Sequence, residues 1–421
     1  MPGMRAPLLA RHQLATRAPA VARRKNRSRR RQPASTTVTS SAISSSIVPS
    51  LRRAVRVDDR ELFRRARRVQ RWQDLSRSSD DHTPANLATQ GWQWRRQKKG
   101  FKLYTRQSPM VNAPIGSQSF SSLLDSEILA VGNVACSISQ LAPPLRSPSE
   151  SEYNSAMHSL YGSDFIHGSL VHKVIFRRRS RTYTTDAEET EDRSNQLLVK
   201  TCAYVHTSLF EKKNEQLCYA ELFSPTVSGG FRISTCSLAV REVIAGKVRA
   251  PLSRALHQLH PFSAWLSAEP ARSGVHVVFR ARFHRSESDG SCSSKVMNAR
   301  LWKLAKGMCK LGKLVGNSVH HARGLSSSCM NHTVSGGPRN SRCIVCTRTM
   351  FRIFMLRSCC RCELCSYNVC HACCSNQHVA IYNRHVAPLL VCDRCRESLA
   401  RNEFDSQLRA VNPKSCEQPF R

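Results

Sequence analysis

The chain has 421 residues, with 65 Lys and Arg against 29 Asp and Glu, a formal net charge of +36. Its 40% apolar and 7% aromatic content is lean for a chain folded throughout, so folded parts separated by basic, disordered stretches are expected. No run approaches the ~18 apolar residues of a membrane-spanning helix, Gly and Pro are too few and aperiodic for a fibre, and the charge excess favours anionic partners: acidic lipid headgroups, nucleic acid or acidic proteins.

Residues 1–57 contain thirteen Arg and Lys and no acid, and Arg23 to Arg31 reads RRKNRSRRR. With the Ser- and Thr-rich stretch from Ser35 to Ser50, this composition cannot bury a core, and a disordered tail over residues 1–70 is expected. A solvated tail, a nuclear-import or nucleic-acid patch, and an Arg-rich transit peptide are the three readings. No secretory signal is visible, because residues 1–35 lack a central apolar block. Residues 52–72, with Val55, Leu62, Phe63, Ala66 and Val69 among many arginines, form a candidate basic helix, and a second low-order stretch is expected from Ser76 to Ala88.

Order is expected from Trp92. Trp92, Trp94, Phe101 and Leu103 outline two short strands with a turn at Gly100. Strands follow at Ile128–Ala135, Leu197–His206, Cys218–Phe223 and Phe231–Val240, the last after a Gly229–Gly230 turn. A helix starting at Ser137 is expected to stop at Pro143 and Pro144, and Ser180 to Asn195 reads as a polar loop. The clearest strand is Val275 to His284, where apolar and polar residues alternate. Leu301, Leu304, Met308, Leu311 and Val315 then share one face of a helix over 295–321. Lys303, Lys306, Lys310 and Lys313 share the opposite face, near Trp302: a solvated stripe, or in a sharper reading a contact for an anionic membrane. The Ser-, Gly- and Asn-rich segment 324–341 reads as a linker. The domains expected are therefore a tail to residue 70, an α+β domain over 71–323, the linker, a cysteine-rich module over 342–398, and a disordered tail over 399–421.

Twelve of the 19 cysteines lie between residues 329 and 395. The pairs Cys343/Cys346, Cys362/Cys365, Cys370/Cys373 and Cys392/Cys395 have the spacing C-x2-C-x15-C-x2-C-x4-C-x2-C-x18-C-x2-C. A clustered ladder of this kind reads as metal ligands rather than disulfides. Zinc takes four thiolates in a tetrahedron with Zn–S near ~2.3 Å, so eight cysteines make two closed, structural sites for two Zn2+ ions. The four-residue gap between the second and third pairs is too short to close one ion conveniently. An interleaved order relieves this, with the first and third pairs on one zinc and the second and fourth on the other. So small a module would draw on the order of 10 kcal/mol of folding free energy from each metal. Cys359, Cys360 and Cys374 are extra and read as free thiols beside the sites. The scattered Cys136, Cys202, Cys218, Cys236, Cys292, Cys309 and Cys416 read as small buried hydrophobes or surface thiols.

The ladder, with V-C-D-R-C at Val391 to Cys395, resembles the FYVE zinc finger over Arg342 to Arg396. That resemblance implies a cross-brace fold and binding of phosphatidylinositol 3-phosphate on endosomal membranes. The family's basic R-[RK]-H-H-C-R-x-C-G signature aligns with Ser358 to Ser366. There only Arg361 is basic, with Arg357 one residue before the stretch, and Glu363 reverses a charge. The W-x-x-D element is missing and Leu390 replaces the Arg of R-V-C, so Arg357 and Arg361 are the remaining headgroup candidates. A PHD finger fits the spacing less well, since Cys370 stands where that family has His and no Trp precedes the last pair. The middle region, through Trp92 to Arg106, Ile128 to Val134 and Val275 to His321, resembles START-like lipid-binding domains, of the kind joined to FYVE-like fingers in oomycetes. This implies a helix-grip fold: a curved antiparallel sheet holding a C-terminal helix over an apolar cavity.

No nucleophile elbow, P-loop, H-E-x-x-H or dinucleotide fingerprint occurs, so no catalysis is expected. The combined expectation is a zinc-binding adaptor in the cytoplasm, peripheral on endosomal membranes, with phosphoinositide or other anionic lipid and protein partners. The alternative is a nuclear PHD-like protein that uses the RRKNRSRRR patch on chromatin or nucleic acid.

Overall fold

The computed structural model describes residues 54–77, 82–108, 125–176, 195–206, 213–249, 256–284, 293–318, 340–350, 359–380 and 386–400. The expectations for the tail before residue 54, the loop at 177–194, the linker at 319–339 and the tail from 401 lie outside the described residues.

Ten strands form one sheet: β1 (Gln93–Lys98), β2 (Phe101–Ser108), β3 (Asp125–Val134), β4 (Phe165–Phe176), β5 (Asn195–Tyr204), β6 (Asn214–Pro225), β7 (Phe231–Ser237), β8 (Leu256–Gln258), β9 (Phe262–Ala271) and β10 (Gly274–Phe283). The order is β1-β2-β3-β10-β9-β7-β6-β5-β4, with β8 beside β6. All pairings are antiparallel except the parallel β6–β8 contact. The turn expected at Gly100 is a two-residue loop, Lys99–Gly100, with φ +49° and +78°. Positive φ at both positions marks a type I′ hairpin, whose twist matches the sheet and which favours Gly.

One face of the sheet is packed by α3 (Ile138–Arg146), α4 (Glu150–Tyr161) and α5 (Ser294–Met308). Ser137 and Ser149 cap α3 and α4 with full capping boxes, through Gln140 and Glu152. Contrary to expectation, α3 runs through Pro143 and Pro144 and ends only at Ser147, whose N–H donates to the Pro143 carbonyl at 3.1 Å. The C-terminal helix is also divided: α5 ends at Met308, and a turn precedes α6 at residues 311–318. Its predicted apolar face holds, because Leu301, Leu304, Met308, Leu311 and Val315 are all buried. Gly307 sits under the Tyr161 ring, and a Cβ there would lie 2.4 Å from it.

On the opposite face, which carries His276, Arg280 and Arg282 of β10, helix α1 (Asp59–Arg77) packs through buried Leu62, Ala66 and Val69. The boundary expected at residue 70 thus falls inside a packed helix. The stretch read as low-order also contains the end of α1 and the short helix α2 (Pro84–Thr89), which Thr83 caps and Pro84 starts. Beneath α1, Glu127 is 2% exposed and accepts from Arg106 at 2.8 Å, Arg280 at 2.7 Å and Arg282 at 3.4 Å. Trp72 of α1 closes the cluster, with the Arg282 guanidinium 4.1 Å from its ring centre. Burial alone would raise the Glu127 carboxyl, but the Arg280 and Arg106 charges outweigh it and hold the group below the usual carboxylate range.

The cysteine-rich module consists of β11 (Cys359–Arg361) paired with β12 (Asn368–Cys370), β13 (Cys374–Ala380) paired with β14 (Val386–Cys392), and helix α7 at 393–400.

Candidate metal centres and buried cavity

The module folds as two Cys-x-x-Cys turns facing two others. Each of the first two pairs is followed by a left-handed residue, Thr347 and Ser366, both at φ +61°. That bend returns the Thr347 N–H to the Cys343 carbonyl at 2.8 Å and the Ser366 N–H to the Cys362 carbonyl at 2.9 Å, so each pair of sulfurs projects from a tight knuckle.

The knuckles bring Cys343, Cys346, Cys370 and Cys373 into one group and Cys362, Cys365, Cys392 and Cys395 into another, with the sulfurs of each group within 4.8 Å of one another. The alternating order argued from the four-residue gap is the order found. Cys346 and Cys370 sulfurs are 3.6 Å apart, and Cys365 and Cys392 sulfurs 3.9 Å. A tetrahedron with 2.3 Å metal–sulfur bonds has edges of about 3.8 Å, so both groups fit a four-thiolate zinc ion. Thiol donors pull one sulfur of each set toward the thiolate: Cys346 and Cys373 act on Cys343, and Cys365, Cys392 and Cys395 act on Cys362. The backbone N–H of Cys392 adds a bond to the Cys362 sulfur at 3.3 Å. With four sulfurs each, the sites have no open position for a reacting water.

The extra cysteines depart from the free-thiol reading. Cys360 and Cys374 are joined as a disulfide across β11 and β13, while Cys359 stays free and half-buried. Of the two headgroup candidates, Arg361 is exposed and donates its Nε to the Ser366 carbonyl at 3.2 Å, and Arg357 lies outside the described residues.

The finger is seated on the sheet domain. Arg394 of α7 is buried, donating its Nε to the Ile344 carbonyl at 2.7 Å and its Nη1 to both the Ser169 hydroxyl and the Gly246 carbonyl at 2.7 Å. Glu397 accepts from the Gly246 N–H at 3.1 Å, and Asn214 donates to the Thr347 carbonyl at 3.1 Å. The Tyr367 ring, between the two metal groups in sequence, stacks on His167 with ring centres 5.0 Å apart. His167 is held by Asn154 of α4 at 2.8 Å, and burial followed by the nearby Arg394 charge keeps the imidazole well below its usual pKa, hence neutral.

Between the sheet and helices α3, α4 and α5 lies a cavity of about 780 Å³, its solvent-open mouth included. Apolar walls come from Leu160, Leu217, Ile233, Leu266, Phe279 and Leu304. At one end the Lys200 ammonium pairs with Glu221 and lies 4.9 Å from the Tyr153 ring centre, and the Tyr153 and Tyr219 hydroxyls are 2.9 Å apart. Burial pushes the Tyr153 and Tyr219 phenols up, so they stay protonated and remain donors. Arg300 of α5, fully buried, anchors the helix by pairing with Glu215 and by covering the Tyr204 ring at 4.0 Å. Lys303, read as part of a solvated stripe, pairs with Asp164 at 3.0 Å, and Trp302 packs half-buried against the core.

No family model and no curated protein matches the chain. Among solved structures, human StAR-related lipid transfer protein 5 is similar at 12% identity and TM-score 0.37, over 62% of this chain and 100% of that one. Human STARD10 follows at 12% and 0.36, over 65% and 86%. A STAR-related lipid transfer protein fragment from Xanthomonas axonopodis stands at 12% and 0.35, over 54% and 99%. With scores of this size, the architecture rests on the chain's own features: an α+β sheet holding a helix over a cavity, joined to a cysteine-rich finger with two metal-sized sets of thiols.

Lys200, Glu221, Tyr153 and Arg394 carry much of the site and were not singled out from the sequence. A signal existed for the first two. Each is a lone charge inside an otherwise apolar strand, in LLVKTCAY and CYAELF, and such a charge needs a buried partner.

Proposed function

We infer that this chain is a non-catalytic, lipid-binding adaptor whose START-like domain holds one small apolar or amphipathic lipid and whose FYVE-like finger holds two zinc ions. The observation that carries the lipid reading is the cavity between sheet and helices, with apolar walls and a single polar end. Zinc is the ion that a closed set of four thiolates suits, and each set would hold it structurally. Peripheral association with anionic membranes is supported by the charge of +36, and the endosomal, cytoplasmic setting by the resemblance of the cysteine ladder to FYVE fingers. Phosphoinositide binding through the finger would use Arg357 and Arg361.

Two measurements test this reading. Solvent extraction and mass spectrometry of the purified chain should recover a lipid, and Ala264→Phe, which fills the cavity from β9, should remove it while far-ultraviolet circular dichroism is unchanged. A wild-type chain that carries no lipid and takes none from vesicles overturns the cavity reading. Elemental analysis should find two zinc ions per chain; a metal-free, fully folded finger overturns the second half.

A further inference from the structure

The two edges of the sheet are treated differently. At the β4 edge, Phe165–Ser169 is buried, with His167 and Ser169 contacting the finger. Among the described residues the β1 edge has no such cover: all six residues of Gln93–Lys98 are exposed, and so are Lys99, Gly100 and Lys102. This edge carries Arg95, Arg96, Lys98, Lys99 and Lys102, and the sequence has no Asp or Glu between Asp81 and Asp125. Arg95 bonds Thr105 and Gln93, whereas Arg96, Lys98, Lys99 and Lys102 pair with no carboxylate among the described residues.

A row of cations on an edge strand is by itself a common protection against strand-to-strand aggregation. Trp94 argues against protection as the whole explanation. It is the second residue of β1, is 61% exposed, and would promote the association that the cations prevent. The pairing register shifts between Trp94 and Arg96, so a β-bulge at Arg95 re-aims the side chains around it. The I′ turn at Lys99–Gly100 then holds the charged tip in one conformation, which lowers the ordering penalty when the tip meets a surface.

We propose that the β1–β2 hairpin is the docking surface for an anionic lipid bilayer, with Trp94 at the headgroup boundary and Arg96, Lys98, Lys99 and Lys102 over the lipid phosphates. An aromatic with one polar N–H beside several cations is the composition that suits this interface. A nucleic-acid groove would instead offer several aromatics in register for successive bases, and the hairpin offers one. Its position adds to the case. The Cys309 thiol feels the charges of Lys98, Lys99 and Arg96, and Cys309 directly follows Met308 of the cavity wall. A bilayer seated on the hairpin lies at the end of the cavity where α5 finishes, where a lipid could be exchanged.

This proposal rests on the membrane reading above, and the test separates the two. The full chain is co-sedimented with phosphatidylcholine vesicles with and without phosphatidylserine, at low salt. The wild type should bind the phosphatidylserine vesicles. Each cation reversed should lower affinity roughly fivefold, and the combined R96E/K98E/K99E/K102E variant by a hundredfold or more. The single variant Lys99→Glu, at the exposed turn, gives the fivefold readout should the combined variant fail to fold. Trp94→Ala should lower affinity severalfold while leaving the salt dependence unchanged. Binding that survives the hairpin variants but is lost on deleting residues 23–31 overturns the hairpin and leaves the membrane reading standing. No binding by the wild type overturns both. Tighter binding to a single-stranded oligonucleotide, abolished by the same reversals, overturns the proposal in favour of nucleic acid.

Discussion

At the scale of single residues, the molecule is held by a few charges taken out of water. Glu127 is the sharpest case, because three arginines depend on one carboxylate. Removing one partner of a buried ionic cluster leaves the rest uncompensated, so Glu127→Gln should lower stability by about 3 kcal/mol in urea unfolding. Its folded pKa is depressed, so its stabilisation is full above the ordinary carboxylate range and is lost as pH falls through the folded value. The variant should therefore show a shallower loss of stability below about pH 4 than the wild type, measured by urea midpoints across pH. A cysteine ligand behaves differently: Cys362→Ser should release one zinc per chain in elemental analysis and leave the first site filled, because the two sets share no sulfur. Of the scattered cysteines, Cys202, Cys218, Cys236 and Cys309 are buried, Cys136 is half-buried, and Cys292 and Cys416 lie outside the described residues. Burial pushes Cys218 up to about 11 and Cys202 and Cys236 up to about 12, which makes them poor nucleophiles at neutral pH.

At the scale of elements, α1 is the least expected. It carries nineteen residues with many arginines, and its apolar stripe is only Leu62, Ala66 and Val69 among the fully buried positions. The helix itself was a candidate from Leu62, Phe63, Ala66 and Val69; its packing on β7, β6 and β9, which makes it a third layer, was not expected. Leu62→Ala should cost about 2–4 kcal/mol in chemical denaturation, the range for truncating a buried leucine; a change within measurement error would mean that α1 is dispensable. Other elements were legible for physical reasons. β10 alternates with a single interruption at Val278, the C-terminal helix repeats its leucines every three or four residues, and the knuckles are fixed by thiol spacing. β4 and β9 were not found, because FIHGSLVHKVIF and FSAWLSAEPA mix Gly, Ser, Ala and His into the buried face and blur the period of two. Helix α4 was missed because its buried residues include Asn154 and two tyrosines, which hydropathy alone does not mark as core.

At the scale of the whole molecule, the cysteine-rich module and the apolar cavity are not independent. The path runs from the finger through Tyr367 and His167 to Asn154 of α4, and α4 forms a wall of the cavity. Chelation of the metal should therefore lower the melting temperature of the sheet domain as well as unfold the finger. Near-ultraviolet signals from Trp265 and Tyr204 should report that loss; an unchanged sheet transition would count against coupling. None of this could be read from the chain, since the decisive contact joins residues 225 positions apart. Arg394→Met would strand the Ser169 hydroxyl and leave the Gly246 carbonyl with the Thr201 hydroxyl alone, a loss expected to cost about 1–3 kcal/mol and to split one calorimetric transition into two.

Arg394 also sets a limit on dissection. Scissors placed in the stretch before residue 340 would give a cysteine-rich fragment with a bare guanidinium and a bare tyrosine ring where a neighbour used to be. The severed sheet half would carry an open backbone N–H at Gly246, where Glu397 used to accept. Any behaviour that such halves show apart, stickiness above all, would belong to the wound and not to the intact chain.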